Sequence, residues 1–274
     1  MDIQDALEIV GQTNPGMVRS HNEDSITFDP ELGLVVLADG MGGYNAGEVA
    51  SGIAVSVLSS EVRHHLESAR PEDLSAAGEE LGVVLLRDNV KKANLSIFHA
   101  AQSQPQYAGM GTTVVTALFY DDRVAVVHVG DSRMYRLRGE TFDAVTRDHS
   151  LLQEQIDSGL ISKANARLSK NKNLVTRAVG IDADVEPEVH VHEVQVGDIY
   201  LLCSDGLNDM VEDEDIGATV QILQNNLPLA ASQLIQLAND NGGRDNVSVI
   251  LVKVKGRYAA PSGWWEKLRA WFGN

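Results

Sequence analysis

Carboxylates recur in this chain beside glycines or other sharp backbone elements. They fall in the runs Arg19-Ser20-His21-Asn22-Glu23-Asp24, Ala38-Asp39-Gly40-Met41-Gly42-Gly43, Gly130-Asp131-Ser132-Arg133, Ser204-Asp205-Gly206 and Gly242-Gly243-Arg244-Asp245-Asn246. Three of the aspartates border strongly apolar runs: residues 34–38 before Asp39, 199–203 before Asp205 and 247–252 after Asp245. Short β-favouring runs bounded by turn signals read as buried strands. A carboxylate at a buried strand end is costly unless a cation or hydrogen bonds compensate it. Several such carboxylates, drawn from distant parts of one chain, point to a single acidic, metal-filled site. The donors are all oxygen, with no Cys pair and no compact His set, which favours Mg²⁺ or Mn²⁺ over Zn²⁺. A carboxylate shared by two divalent ions is the usual apparatus for hydrolysing a phosphate ester. Arg19, close before Glu23, has the planar fork that binds a phosphate bidentately.

The elements that must hold these groups can be read coarsely. Strands are expected near 8–13, 25–29, 33–38, 112–120, 123–129, 133–138, 141–145, 188–194, 198–203 and 246–254. Helical spacing of apolar residues predicts helices over 46–67, 78–102, 148–158, 213–225 and 228–240. The Asp121-Asp122 corner suits a tight hairpin. Strands arriving as hairpins, with helices in pairs between them, imply antiparallel sheets flanked by helices. The polar stretch 161–175 reads as an excursion from this frame. His190 and His192 alternate on a strand, where a solvated face is the expected reading over a metal pair. Cys203, inside an apolar run, reads as a small core residue.

Composition bounds the alternatives. With 274 residues, 43% hydrophobic and 22% charged, the chain can bury an ordinary globular core. A net charge of −17 argues against a general nucleic-acid binder, which needs a basic face. A single cysteine excludes an internal disulfide and fits a reducing compartment. The first residues lack the pattern of a signal peptide, so a cytoplasmic location is expected. Regular calcium loops of the D-x-D-x-D-G type are not found, which sets aside a structural calcium-binding protein.

The last residues depart from the rest. Beyond Pro261-Ser262-Gly263, residues Trp264, Trp265, Leu268, Trp271 and Phe272 fall on one helical face and include all three tryptophans. Either the tail packs back on the domain, or it is an anchor for a partner protein or a membrane surface.

Taken together, Arg19 with Asn22-Glu23-Asp24, Asp39-Gly40-Met41-Gly42-Gly43, Gly111-Thr112-Thr113, Val129-Gly130-Asp131-Ser132-Arg133, Asp148-His149-Ser150, Thr176-Arg177-Ala178-Val179-Gly180, Ser204-Asp205-Gly206-Leu207 and Asp245-Asn246 resemble the metal-dependent protein phosphatases of type 2C, in their bacterial form. The motifs stand in the family's order over roughly residues 8–254. The resemblance implies an α+β, four-layer sandwich: two central antiparallel β-sheets flanked by pairs of helices. It implies a phosphatase domain over 1–256 with a flap at about 150–175, and a separate tail over 257–274. It also implies hydrolysis of phosphoserine and phosphothreonine in proteins, opposing a bacterial serine/threonine kinase and acting on its substrates. Two Mn²⁺ or Mg²⁺ ions are implied, with a third held more loosely in bacterial relatives.

Carried over motif by motif, Asp39 would bridge the two metals and Asp205 and Asp245 would complete one shell. Glu23 and the Gly40 carbonyl would serve the other, with Asp24 close by. Asp131, Asp205 and Asp209 match the third position, and Arg19 would hold the phosphate. Many eukaryotic relatives carry His where this chain has Met41, which cannot protonate a leaving group. Gly111-Thr112-Thr113 and Asp148-His149-Ser150 read as structural, the latter as a helix cap.

Overall fold

Along the central strands, successive apolar side chains belong to different cores. Leu34, Val36 and Ala38 pack in one cluster with helical residues, whereas Val35 and Leu37 pack in another made of strand residues. Ile199, Leu201 and Cys203 likewise face a helical cluster, while Tyr200 and Leu202 join the strand cluster. A strand with two apolar faces must be covered on both sides. That requirement sets the layers: helix, sheet, sheet, helix, with three cores between them.

The architecture is seen in a computed structural model that describes residues 1–43, 46–162 and 174–260. One sheet has the order β1 (Leu7–Asn14), β11 (Val247–Val254), β10 (Ile199–Cys203), β7 (Arg133–Arg138) and β8 (Thr141–Ala144). The other runs β2 (Asp24–Asp29), β3 (Leu34–Met41), β5 (Val114–Tyr120), β6 (Arg123–Val129) and β9 (Glu188–Glu193), with β4 (Gly111–Thr112) paired to the end of β3. All pairings are antiparallel. Two long helices, α2 (Ala46–Leu66) and α3 (Leu81–Ser103), cover the second sheet. Two shorter ones, α6 (Asp213–Ile222) and α7 (Leu227–Asp240), cover the first. Short helices α1 (Ile3–Ala6), α4 (Leu151–Asp157) and α5 (Asp205–Asn208), with a 3-10 turn at Pro105–Tyr107, complete the described elements. The α+β sandwich expected from the resemblance is the observed one.

Local chemistry explains where the boundaries fall. Asp121 and Asp122 both have positive φ, 46° and 53°, and close a two-residue hairpin in which Tyr120 faces Arg123; this is the primed turn that matches strand twist. The expected strand over 112–120 is broken at Thr113, whose Oγ1 accepts from Asp39 N (3.1 Å) in place of a ladder carbonyl. Helix α3 starts at Leu81 and not near 78, because the preceding residues form a small loop closed by Leu81 N to Asp73 O (2.7 Å). Ser150 caps α4 by accepting from Gln153 N (3.2 Å), as its motif predicts.

The histidine reading is corrected. His190 and His192 face Val126 and Val124 across β6, and those valines line the core between the sheets. The two histidines therefore point inward at the sandwich edge, because opposed residues share a face. Part of the expected flap, residues 163–173 with Lys163, Lys170 and Lys172, lies outside the described residues. So do residues 261–274 of the expected tail over 257–274; of its first residues, Tyr258 packs in the core between the sheets.

Candidate active site

The carboxylates meet where strands of both sheets end. Asp24 opens β2 and faces Asp39 near the end of β3 in the strand register. Asp205 follows β10 at the start of α5, and Asp245 lies two residues before β11. Asp131 sits in the turn between β6 and β7, and Asp209 directly after α5. Asp24 and Asp131 are each 7% exposed. Glu23, Asp39, Asp205, Asp209 and Asp245 are half-buried, and Arg19 is exposed.

Electrostatics ties them into one cluster. Burial pushes the Asp39 carboxyl well above the usual range, and Asp24, Asp205, Asp131 and Asp245 push it further by repulsion. Burial does the same to Asp205, reinforced by Asp131, Asp209, Asp245 and Asp24. Asp24 is pushed up to about 6 by burial, against the hydrogen bonds it accepts from Ser248 and Ser204. Asp131 also reaches about 6, through burial first and Asp148 next. Burial raises Glu23 too, with Arg19 pulling the other way. Arg19 Nη2 donates to Asp245 Oδ2 at 2.6 Å, and that contact raises its own pKa.

The scaffold around the cluster is built from small polar groups and glycines. Ser204 Oγ (2.9 Å) and Ser248 Oγ (2.6 Å) both donate to Asp24 Oδ2. Thr112 Oγ1 and Thr113 N each donate to the Asp39 carbonyl at 2.8 Å, so Gly111-Thr112-Thr113 holds the Asp39 turn, as its structural reading anticipates. Glu23 accepts from the backbone N–H of Gly47 at the start of α2, where a helix favours negative charge. A Cβ on Gly40 would stand 2.1 Å from Gly47 O, and one on Gly206 would stand 2.0 Å from Asn246 O. Both glycines are therefore demanded by close backbone approach.

Three contributors have roles that the motifs do not show. Ser248 falls within an apolar run, and Ser204 stands in its motif only as the neighbour of Asp205. Asn246 is legible only as the neighbour of Asp245, yet its amide spans a whole loop. Its Oδ1 accepts from Glu23 N (2.8 Å), and its Nδ2 donates to Pro15 O (3.0 Å) and His21 O (2.9 Å). That amide fixes the segment carrying Arg19 and Glu23.

The residues fit divalent cations. The donor set is oxygen only, the type Mg²⁺ and Mn²⁺ take. Asp24 Oδ1 is buried with no hydrogen-bond partner among the described residues, a state a carboxylate oxygen rarely keeps unless a cation meets it. Mutual repulsion among the aspartates has the same remedy.

Known proteins resemble this chain in sequence and fold. Residues 18–238 match the family described as Protein phosphatase 2C. The serine/threonine protein phosphatase PstP of Mycobacterium tuberculosis is 38% identical over 248 residues, covering 90% of this chain and 45% of that protein, so the chain spans less than half of its length. The serine/threonine phosphatase stp of Listeria welshimeri is 36% identical over 245 residues, covering 88% of this chain and 94% of that protein. The crystal structure of the M. tuberculosis phosphatase superposes with a TM-score of 0.82 at 37% identity, over 91% of this chain and 99% of that one. The catalytic domain of PstP in complex with two manganese ions gives 0.79 at 36% identity, with coverage of 91% and 99%. Identity of this level, sustained over nine-tenths of the chain and joined to a shared four-layer fold, places the protein in the protein phosphatase 2C family.

Proposed function

We propose that the chain hydrolyses phosphoserine and phosphothreonine in proteins, with Mn²⁺ or Mg²⁺ held by the acidic cluster. The observation that carries this reading is the convergence of Asp24, Asp39, Asp131, Asp205 and Asp245, each from a different segment, beside the exposed Arg19. Asp39 is the residue all the others surround, and it is assigned the shared position between two ions. Asp205 and Asp245 would hold one ion; Glu23 and the Gly40 carbonyl would hold the other, with Asp24 close by. Asp131, Asp205 and Asp209 are assigned a third ion. When bound, such ions supply the Lewis-acid chemistry of phosphate-ester hydrolysis.

The chain's own residues orient the ester and set its charge environment. Arg19 reaches from a loop tied down by Asn246, and its half-exposed guanidinium offers a bidentate fork to phosphate oxygens. Binding there trades part of the Asp245 contact for the phosphate. Met41 has no proton to give, so the leaving serine or threonine oxygen takes its proton from water in the cleft. Fixed positioning and charge neutralisation carry most of the rate, because phosphoryl transfer asks little covalent help of a protein.

The catalytic unit is assigned to residues 1–256, with the flap at about 150–175 beside the cleft. Its partners on this reading are phosphorylated proteins, including a serine/threonine kinase and that kinase's substrates, in the cytoplasm. The tail over 257–274 is assigned contacts outside catalysis. Among the described residues, no helix is long and apolar enough to cross a membrane.

The test is hydrolysis of a phosphothreonine peptide by metal-stripped protein, with Mn²⁺ or Mg²⁺ added back. Wild type should release phosphate only with metal. Asp39→Asn, which preserves shape and removes charge, should lose at least about a thousandfold in kcat, or about 4 kcal/mol of transition-state stabilisation. No release from folded wild-type protein with either ion would leave a phosphoprotein-binding module instead of an enzyme.

A further inference from the structure

A second group of ligating side chains lies at the edge of the sandwich and shares no residue with the acidic cluster. His128 in β6, His149 before α4 and Glu188 opening β9 offer donor atoms that all lie within 4.8 Å of one another. Linear spacing hides this set; the strand pairing that puts His128 opposite Glu188 creates it. The imidazoles stack in a ladder. His149 lies on His128 with ring centres 4.7 Å apart, His190 on the same ring at 5.8 Å, and His192 on His190 at 6.0 Å.

The hydrogen bonds leave one nitrogen lone pair open. His128 is fully buried; its Nε2 donates to Arg147 O at 2.8 Å, and its Nδ1 is buried with no partner among the described residues. His149 Nε2 donates to Glu188 Oε2 at 3.2 Å. Glu188 Oε1 lies 2.9 Å from His190 Nε2, in an orientation that makes no hydrogen bond. Burial holds His128 down to about 4 and lowers His149 as well, so both rings are neutral near pH 7 and able to ligate. A buried nitrogen with no partner is uncommon and calls for a ligand or a water to meet it.

We propose that His128, His149 and Glu188 form a binding site for a divalent ion of the Zn²⁺ class, separate from the oxygen-only cluster. Two imidazoles and a carboxylate are the donor set that Zn²⁺ and Co²⁺ take, whereas Mg²⁺ prefers oxygen alone. The 3.2 Å between His149 Nε2 and Glu188 Oε2 is close to the edge of a tetrahedral shell with bonds of about 2.0 Å. His128 Nε2–H on the Arg147 carbonyl is the outer contact that orients a metal-bound imidazole and fixes its tautomer. Loading exacts one cost. His149 Nδ1 accepts from Gly130 N at 3.2 Å, and a metal at Nε2 moves the ring proton to Nδ1, so this long contact is given up.

Co²⁺ spectroscopy on the full chain, presaturated with Mg²⁺, tests the site. Co²⁺ in a four- or five-coordinate nitrogen–oxygen site absorbs strongly in the visible, and in a six-coordinate oxygen site only weakly. The expected result is one equivalent of strong absorption that Zn²⁺ displaces and that persists in Asp39→Asn. Glu188→Gln, a partly exposed position suited to a folded variant, should weaken Co²⁺ binding by more than about tenfold, with folding checked by circular dichroism. Absence of the strong band in wild type overturns the proposal. So does a Co²⁺ affinity left unchanged by Glu188→Gln, or a band that disappears with Asp39→Asn.

Discussion

Asn246 shows how much a single amide can hold. It is 5% exposed and satisfies three backbone groups of the loop from Pro15 to Glu23. Asn246→Ala leaves those groups partly unsatisfied, which should cost about 2–4 kcal/mol of stability. Arg19 and Glu23 ride on the same loop, so the variant should also need more Mn²⁺ for half-maximal rate and lose at least about tenfold in kcat/KM. Thermal unfolding and a metal titration of phosphopeptide hydrolysis would measure both. A stability loss with an unchanged metal requirement would mean that the amide only packs the loop. The aspartates of this site are legible in sequence because charge beside an apolar run is unusual in itself. Asn246, Ser204 and Ser248 are not, because neutral polar residues occur everywhere and only the fold shows which atoms they meet.

At the scale of elements, two glycines in helices make opposite predictions. Gly206 lies in α5, where a Cβ would stand 2.0 Å from Asn246 O, so Gly206→Ala must push α5 off the start of β11. That move separates Asp205 from Asp245. It should lower stability by about 1–3 kcal/mol and cut metal-dependent turnover at least about tenfold. Gly52 lies inside α2 with nothing within 4 Å of an added Cβ, so Gly52→Ala should gain about 0.5–1 kcal/mol with turnover unchanged. Denaturant unfolding and kcat on both proteins would check the pair. Strands built on apolar runs, such as β3 and β11, and a helix with apolar spacing, such as α2, are readable because burial enforces their pattern. The break at Thr113 and the start of α3 are set by hydrogen bonds to Asp39 and Asp73, partners far along the chain or across a loop. The inward turn of His190 and His192 follows from which sheet lies across from β9, and local sequence holds no record of that.

Across the whole molecule, the buried carboxylates make stability depend on pH and metal together. Asp24 and Asp131 hold their protons to about pH 6 in the folded, metal-free protein, against about 3.9 in an unfolded chain. Between those values the folded state binds more protons than the unfolded one. Their contribution is therefore complete below about pH 4 and is lost as pH rises through 6, at roughly 2–3 kcal/mol for each group. Asp39 and Asp205 act in the same direction. His128, held down to about 4, acts in the opposite sense: its folded form refuses a proton that the unfolded form takes. That histidine term is present with and without Mg²⁺ and cancels when the two are compared. Mg²⁺ at the acidic cluster must displace protons below pH 6 and meets bare, repelling carboxylates above it. The rise in Tm caused by saturating Mg²⁺ should thus be small at pH 5 and several degrees larger at pH 7.5. The same comparison in Asp39→Asn should lose most of this pH dependence, because without the carboxylate assigned to both ions Mg²⁺ adds little stability at either pH. An equal Mg²⁺ effect at both pH values in the wild type would mean that the carboxylates are ionised throughout, and that hydrogen bonds, not protons, carry their burial.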